Sequence, residues 1–188
     1  MNEHRTERLV MRRWRASDRE PFAAMSADPA VMEYYPSVAD RRAADADVDR
    51  YEAHFEAHGF GLWAVEAPGV APLIGYVGLS RPTFEAHFTP AVEVGWRLAR
   101  AYWGRGYASE AAQAAVDVGF RELELDEIVS FTVPANFRSR RVMERLGMTR
   151  DPADDFDHPR LPEGHRLRRH VLYRLPRPGS GPPSPPAA

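Results

Sequence analysis

The stretch with the most chemical content is WRLARAYWGRGYASEA, residues 96–111, where a strand pattern enters Gly104-Arg105-Gly106 and passes directly into a helical pattern. Glycines at such a junction let the backbone approach a bound group closely, and the first-turn N–H groups of a helix have no partner inside it. The helix dipole adds about 0.3–1 kcal/mol per favourable negative charge. That combination suits a phosphate or pyrophosphate, although a plain tight turn uses the same glycines. It is not a dinucleotide fingerprint, because the third glycine position is Ser109 and the strands ahead of it read as antiparallel. A second junction follows. Asn136 comes after a strand pattern and Pro134, and Ser139 falls in the first turn of the next helix. Asn is a good helix cap, which accounts for Asn136 structurally. Even so, two successive strand-to-helix junctions bring two helix N-termini to one edge of a sheet.

Other polar groupings carry less. His54 and His58 lie four apart on a helical pattern, a spacing that can hold a metal. The residues between them are Phe-Glu-Ala and no third ligand is evident, so a solvated pair and no metal site are expected. Asp154, Asp155, Asp157, His158 and His165 crowd the 151–168 segment. They either line a pocket for a cationic amine or keep a loop soluble.

Composition narrows the chemistry. The chain has 188 residues, 44% of them hydrophobic, with a net charge of −2 and no cysteine. The length fits one domain with a sizeable core. Near-neutral charge gives no support for nucleic-acid binding. Without cysteine there is no disulfide, thiolate nucleophile or cysteine-bound metal. All 25 basic residues are arginine, which removes Schiff-base chemistry and the Walker A lysine. The opening MNEHRTERLVMRRW is charged throughout, and no apolar run approaches the roughly 20 residues of a membrane span. A soluble cytoplasmic protein with no membrane partner is expected.

The elements that must position the junctions can be read in order. Residues 9–14 suggest a short strand. Ser17 or Asp18 is placed to cap a helix through Met25, and Asp28-Pro29 to start a second short helix ending near Tyr35. Ala44, Val48, Tyr51 and Phe55 recur at helical spacing before Gly59. Strands are expected at 61–66, 73–80 and 91–98. In the last of these Val92, Val94, Trp96 and Leu98 face one way, and Glu93, Gly95 and Arg97 the other. A helix over 106–120, a strand over 127–133, a helix over 136–146 closed by Gly147, and a strand over 169–175 complete the body. The class is α+β with a mixed, mostly antiparallel sheet flanked by helices. The domain is expected to span 1–175, and the Pro-rich 176–188 to be a disordered tail.

The segments GFGLWAV (59–65), IGYVGL (74–79), VEVGWRLARAYWGRGYASEA (92–111) and PANFRSRRVMERLGM (134–148) resemble, in order and spacing, the GCN5-related N-acetyltransferase (GNAT) superfamily, most of all its ribosomal-protein-alanine acetyltransferase-like branch. The likeness covers roughly residues 7–175. It implies a GNAT fold with a cofactor cleft between two splayed parallel strands. The family's acetyl-CoA motif, Gln/Arg-x-x-Gly-x-Gly/Ala, falls on Trp103, Gly104, Arg105, Gly106, Tyr107 and Ala108, with tryptophan replacing the usual first residue. The resemblance implies that N–H groups through Ser109 cradle the pyrophosphate. It also implies that pantetheine lies along Trp96, Arg97 and Leu98, and that Asn136 contacts the cofactor arm. Many relatives carry a tyrosine acid at the position of Met143, which leaves Ser139 as the implied proton donor to the thiolate. Glu93, on the cofactor strand beside Gly95, is the candidate general base, directly or through a water, unless it is merely paired with Arg97. The run Arg138, Arg140, Arg141 and Arg145 either meets the 3′-phosphate of coenzyme A or is a solvated face. The implied activity is acetyl transfer from acetyl-CoA, as co-substrate, to a small-molecule amine or a protein N-terminus in a ternary complex. A non-catalytic acyl-CoA-binding or sensor protein of the same fold is the alternative, and the chain would be a monomer or a homodimer.

Overall fold

The computed structural model describes residues 3–179. Eight strands form one sheet in the order β1-β2-β3-β4-β5-β6-β8-β7. They are β1 Glu3–Arg5, β2 Val10–Arg12, β3 Leu62–Ala67, β4 Ala71–Ser80, β5 Glu93–Leu98, β6 Glu127–Thr132, β7 Phe156–Asp157 and β8 Arg169–Pro176. The helices are α1 Arg19–Ser26, α2 Arg41–His58, α3 Tyr107–Arg121 and α4 Phe137–Arg145. Every strand pair is antiparallel except β5 with β6. The expected GNAT arrangement is present.

Strand alternation separates two faces. Tyr76 lies opposite Arg97 across β4 and β5, and the Tyr76 ring meets Phe22 of α1 and Tyr51 of α2. Glu93, Gly95 and Arg97 therefore face α1 and α2. Leu79 lies opposite Val94, and a Cβ on Gly119 of α3 would meet both Leu79 and Ile128. Val94, Trp96 and Leu98 therefore share the α3 face. The apolar stripe of α2 is buried as its spacing predicts, with Ala44, Val48, Tyr51 and Phe55 all in the core. Gly59, at φ 76°, ends that helix in the left-handed conformation.

Two expectations are corrected. No helix starts at Asp28-Pro29. Two separate turns close there, Met32 N–H on Asp28 O at 3.0 Å and Tyr35 N–H on Met32 O at 2.9 Å, before Pro36 stops the chain, and Val31 and Met32 are buried instead. The side chains of Ser17 and Asp18 do not cap α1. Residues Ala16–Asp18 form a 3-10 turn leading into it, and the Asp18 carboxylate is taken by Arg15 N–H at 2.7 Å and by the Arg12 guanidinium. The described residues continue to 179. Pro176 ends β8, and Arg177 donates its N–H to Asp126 O at 2.8 Å and Nε to Leu125 O at 2.9 Å. The rest of the expected tail, from 180 on, lies outside the described residues.

Candidate active site

The site begins where β5 and β6 part. Glu93 opposite Val129 is their one register pair, with Val129 N–H on Val92 O at 2.9 Å. Ser130 Oγ–H donates to Val94 O at 2.9 Å and closes the apex. Beyond it the two parallel strands diverge, while the other edge of β5 stays paired to β4 from Glu93 to Leu98. Ala99 N–H bonds Ile74 O at 2.9 Å, so ladder alternation turns the main-chain groups of residues 93, 95 and 97 toward β4. Those of 94, 96 and 98 turn toward the gap. Trp103 Nε1–H takes Leu98 O at 2.8 Å, which leaves the N–H and C=O of Trp96 open to the wedge. Arg97, expected along the cofactor path, has its main chain committed to β4 and its side chain on the opposite face.

At the wide end stands the glycine turn. Gly104 and Gly106 adopt φ 74° and 82°, conformations that favour glycine. Tyr107, Ala108 and Ser109 then open α3, with N–H groups that have no acceptor within the helix. The turn is anchored from the far end of the chain. Arg8 Nη1 donates to Arg105 O at 3.0 Å, and the same guanidinium pairs with Glu110 at 2.6 Å.

The second N-terminus, that of α4, borders the same gap. Asn136 Oδ1 accepts from Ser139 N–H at 3.3 Å, and its Nδ2 donates to Thr132 Oγ1 at 3.0 Å and Ser139 Oγ at 3.1 Å. Its capping reading is thus realised. Arg138, Arg141 and Arg145, three and four apart, line the cavity. The guanidinium of Arg138 sits 4.5 Å from the Trp103 ring centre and 3.7 Å from Glu33. Arg140 turns away to Pro134 O at 3.1 Å and Tyr173 Oη at 3.3 Å. Met143 is buried and does not line the cavity.

These parts enclose a cavity of about 340 Å³. Trp96, Arg97 and Leu98 line it from β5, and Trp103, Gly104 and Gly106 from the turn. Tyr107, Ala108 and Ser109 line it from α3, and Asn136 and Ser139 from α4. Arg105 does not. Sequence reasoning missed the segment Glu33-Tyr34-Tyr35, which forms a further wall; Tyr34 Oη–H bonds Ala135 O at 3.2 Å. A paired tyrosine just before Pro36 was the available signal.

Glu93 stands apart from this cavity, on the α1/α2 face. Its carboxyl has no hydrogen bond or ion pair among the described residues, and burial pushes it up to about 8. Its Oε1 lies 3.9 Å from where a Cβ on Gly95 would sit, so the carboxylate leans over an empty glycine position. The pairing with Arg97 does not form. Arg97 instead donates Nη1–H to Ser26 Oγ at 3.3 Å and lies among aromatic rings. Glu93 and Ser139 thus approach the wedge from different sides.

The acidic segment is already neutralised. Asp154 bonds Arg174 at 2.7 Å, Asp155 pairs with Arg150, and Asp157 meets Arg168 at 3.3 Å. It offers no free anionic cluster for a cationic amine. His54 uses both ring nitrogens structurally, Nδ1–H on Phe60 O at 2.8 Å and Nε2 accepting Arg81 N–H at 3.2 Å.

The sequence matches the Acetyltransferase (GNAT) domain family over residues 8–149. A Bacillus subtilis protein described as the uncharacterized N-acetyltransferase YnaD is 33% identical over 171 residues, covering 90% of this chain and 94% of that one. A GNAT-family acetyltransferase structure from Bacillus anthracis superimposes with a TM-score of 0.77 at 29% identity, over 93% of this chain and 98% of that one. RimJ of Mycobacterium smegmatis, solved in complex with CoA-disulfide, shares the fold at a TM-score of 0.71 and 19% identity, over 89% of this chain and 81% of that one. With its parted parallel strands and paired helix N-termini, the chain belongs to the GNAT family and is an N-acetyltransferase.

Proposed function

We propose that the protein moves the acetyl group of acetyl-CoA directly to a primary amine within a ternary complex. The observation that carries this reading is the unpaired main chain of Trp96, set in a wedge between two helix N-termini. The left-handed glycines and free first-turn N–H groups of residues 104–109 fit a pyrophosphate. Arg138, Arg141 and Arg145 add positive charge on one helix face, suited to the remaining phosphate of coenzyme A. The bound thioester supplies the activated acetyl group.

The chain's own residues would then work as follows. Glu93 takes a proton from the acceptor amine, directly or through a water, as the amine forms its bond to the acetyl carbon. The Trp96 N–H donates to the carbonyl oxygen as negative charge develops there, a role worth roughly 10²–10³-fold in rate. Ser139 Oγ–H delivers a proton to the departing sulfur. The acceptor is a small amine or a protein N-terminus. A Vibrio fischeri ribosomal-protein-S5-alanine acetyltransferase shares the fold at 18% identity.

Thiol release against a panel of amines and N-terminal peptides tests the reading. Glu93→Gln keeps the shape but accepts no proton, so turnover should fall about 10²–10⁴-fold at neutral pH. A base with a pKa near 8 is mostly protonated at pH 7, so the parent rate should climb through pH 8. The variant should lose that inflection and recover only as the amine deprotonates. Ser139→Ala should lower turnover with little change in acetyl-CoA affinity. Parent-level rates for both folded variants across pH 6–9 would remove these assignments, and acetyl-CoA binding without thiol release would favour a sensor.

A further inference from the structure

We propose that Arg97 is the acceptor-recognition group of this enzyme, and that the acceptor amine also carries a carboxylate or a comparable planar anion, an α-amino acid being the smallest such molecule. This rests on the acetyl-transfer reading above and narrows its substrate class.

Arg97 is 7% exposed and has no carboxylate within ion-pair distance among the described residues. Its polar neighbours are two neutral hydroxyls, Ser26 Oγ at 3.3 Å from Nη1 and the Tyr35 phenol, and Nε is buried with no acceptor. Aromatic faces surround the guanidinium, with ring centres at 4.3 Å for Tyr35, 5.1 Å for Tyr76 and 5.8 Å for Phe22. Such faces attract a cation, and the Tyr35 hydroxyl adds a neutral partner, but none offers the paired anionic acceptors that match the donor fork. Burial also keeps the nearby phenols protonated, with Tyr51 pushed up to about 12 and Tyr76 raised in the same direction, so they do not cancel the charge. An uncompensated buried charge is costly. A bound anion would supply both the missing acceptors and the missing charge.

The position is the second argument. Arg97 and Tyr35 both line the cavity described above. Glu93, Gly95 and Arg97 occupy one face of β5, with Cα atoms of the outer two roughly 13 Å apart at strand spacing. Gly95 leaves the middle open, and the Glu93 carboxylate leans into it. A negative and a positive side chain thus flank an empty position without meeting. An amine placed at Glu93 with its acid group toward Arg97 complements both ends. A neutral amine, or one whose only charge is positive, leaves Arg97 unanswered.

Binding can be read without turnover. Protein saturated with coenzyme A is titrated calorimetrically with N-acetyl-L-amino acids and with their C-terminal amides, which differ only in the anion. The acids should bind at least tenfold more tightly than the amides. Arg97→Met should bring the two affinities together, and Arg97→Lys should restore part of the difference. Equal affinities for acid and amide in the parent protein would overturn the proposal, whether or not any variant folds. So would a preference that survives in folded Arg97→Met, which would leave Arg97 a structural cation in an aromatic cage. The transferase reading fails separately, by the absence of thiol release with every amine. An acid-over-amide preference in the same protein would still support an anion site at Arg97.

Discussion

Arg12 and Arg97 are the two buried arginines among the described residues, 3% and 7% exposed, and they are treated in opposite ways. Arg12 is answered at every donor. It bonds Asp18 through Nη1 at 2.7 Å and Nη2 at 3.0 Å, Glu66 through Nε at 3.0 Å, and the carbonyls of Pro72 and Arg13. It ties β2 to the turn before α1 and to β3, far from the cavity. Arg97 has two neutral hydroxyls, aromatic faces and an unanswered Nε. Both cations bear the same cost of leaving water. Complete compensation marks structure. Incomplete compensation beside a cavity marks a place for a ligand.

The contrast can be broken most severely at Asp18. Asp18→Ala leaves the Arg12 charge buried with two of its five hydrogen bonds and one of its two carboxylates gone, and should cost about 3–5 kcal/mol in denaturant unfolding. A loss below about 1 kcal/mol would mean that Glu66 and water suffice. Next in size is Gly106→Val, which forces a β-branched residue to φ 82° and brings its Cβ within 3.3 Å of Arg8 Nη2. Acetyl-CoA affinity should fall tenfold or more, about 1.4 kcal/mol per decade. Unchanged affinity in a folded variant would move the phosphates elsewhere. The smallest stability change is expected at Arg97 itself. Arg97→Met orphans no carboxylate, so unfolding free energy should stay within about 1 kcal/mol of the parent or rise. A drop as large as that of Asp18→Ala would erase the distinction drawn here.

Glu93 sharpens the same point through pH. Its folded pKa lies at about 8, above that of an exposed glutamate, so the folded state holds its proton longer than the unfolded chain. That contribution to stability is complete below about pH 4.5 and drains away as pH rises toward 8. Glu93→Gln removes the liability. Its melting temperature relative to the parent should therefore increase from pH 5 to pH 8.5, as scanning calorimetry would show. A difference independent of pH would mean that Glu93 ionises normally.

Much of this was legible in the residues. The period of α2, the alternation of β5 and both strand-to-helix junctions are local patterns, and they folded as read. What was missed depends on contacts distant in sequence. Strand β1, three residues long, exists because β2 pairs with it, from Glu3 opposite Arg12 to Arg5 opposite Val10. Segment 28–38 has helix-start chemistry but too little length between prolines, and tertiary packing of Val31 and Met32 decided its path. The alternation correctly put Glu93 and Arg97 on one face, yet nothing local could say that they would decline to pair. That needed Tyr35, Tyr51 and Tyr76, drawn from the 28–38 segment, α2 and β4. Likewise the arginine run of α4 divided by helical geometry, with Arg138, Arg141 and Arg145 toward the cavity and Arg140 toward Tyr173.

The clasp between Arg8 and Glu110 has a consequence for the electrostatics of the cradle. Glu110 sits in the first turn of α3, a favourable place for its own charge but one close to where phosphates would lie. Burial would raise its carboxyl, but bonds from Thr6 and Arg8 outweigh that and hold it ionised below the usual range. The negative charge is therefore present at neutral pH, and Arg8 acts as its shield. Residues at the start of the chain thereby set the potential felt in a turn about a hundred positions later. A change confined to Thr6–Arg8 would retune anion affinity there while leaving every residue of the turn itself unaltered.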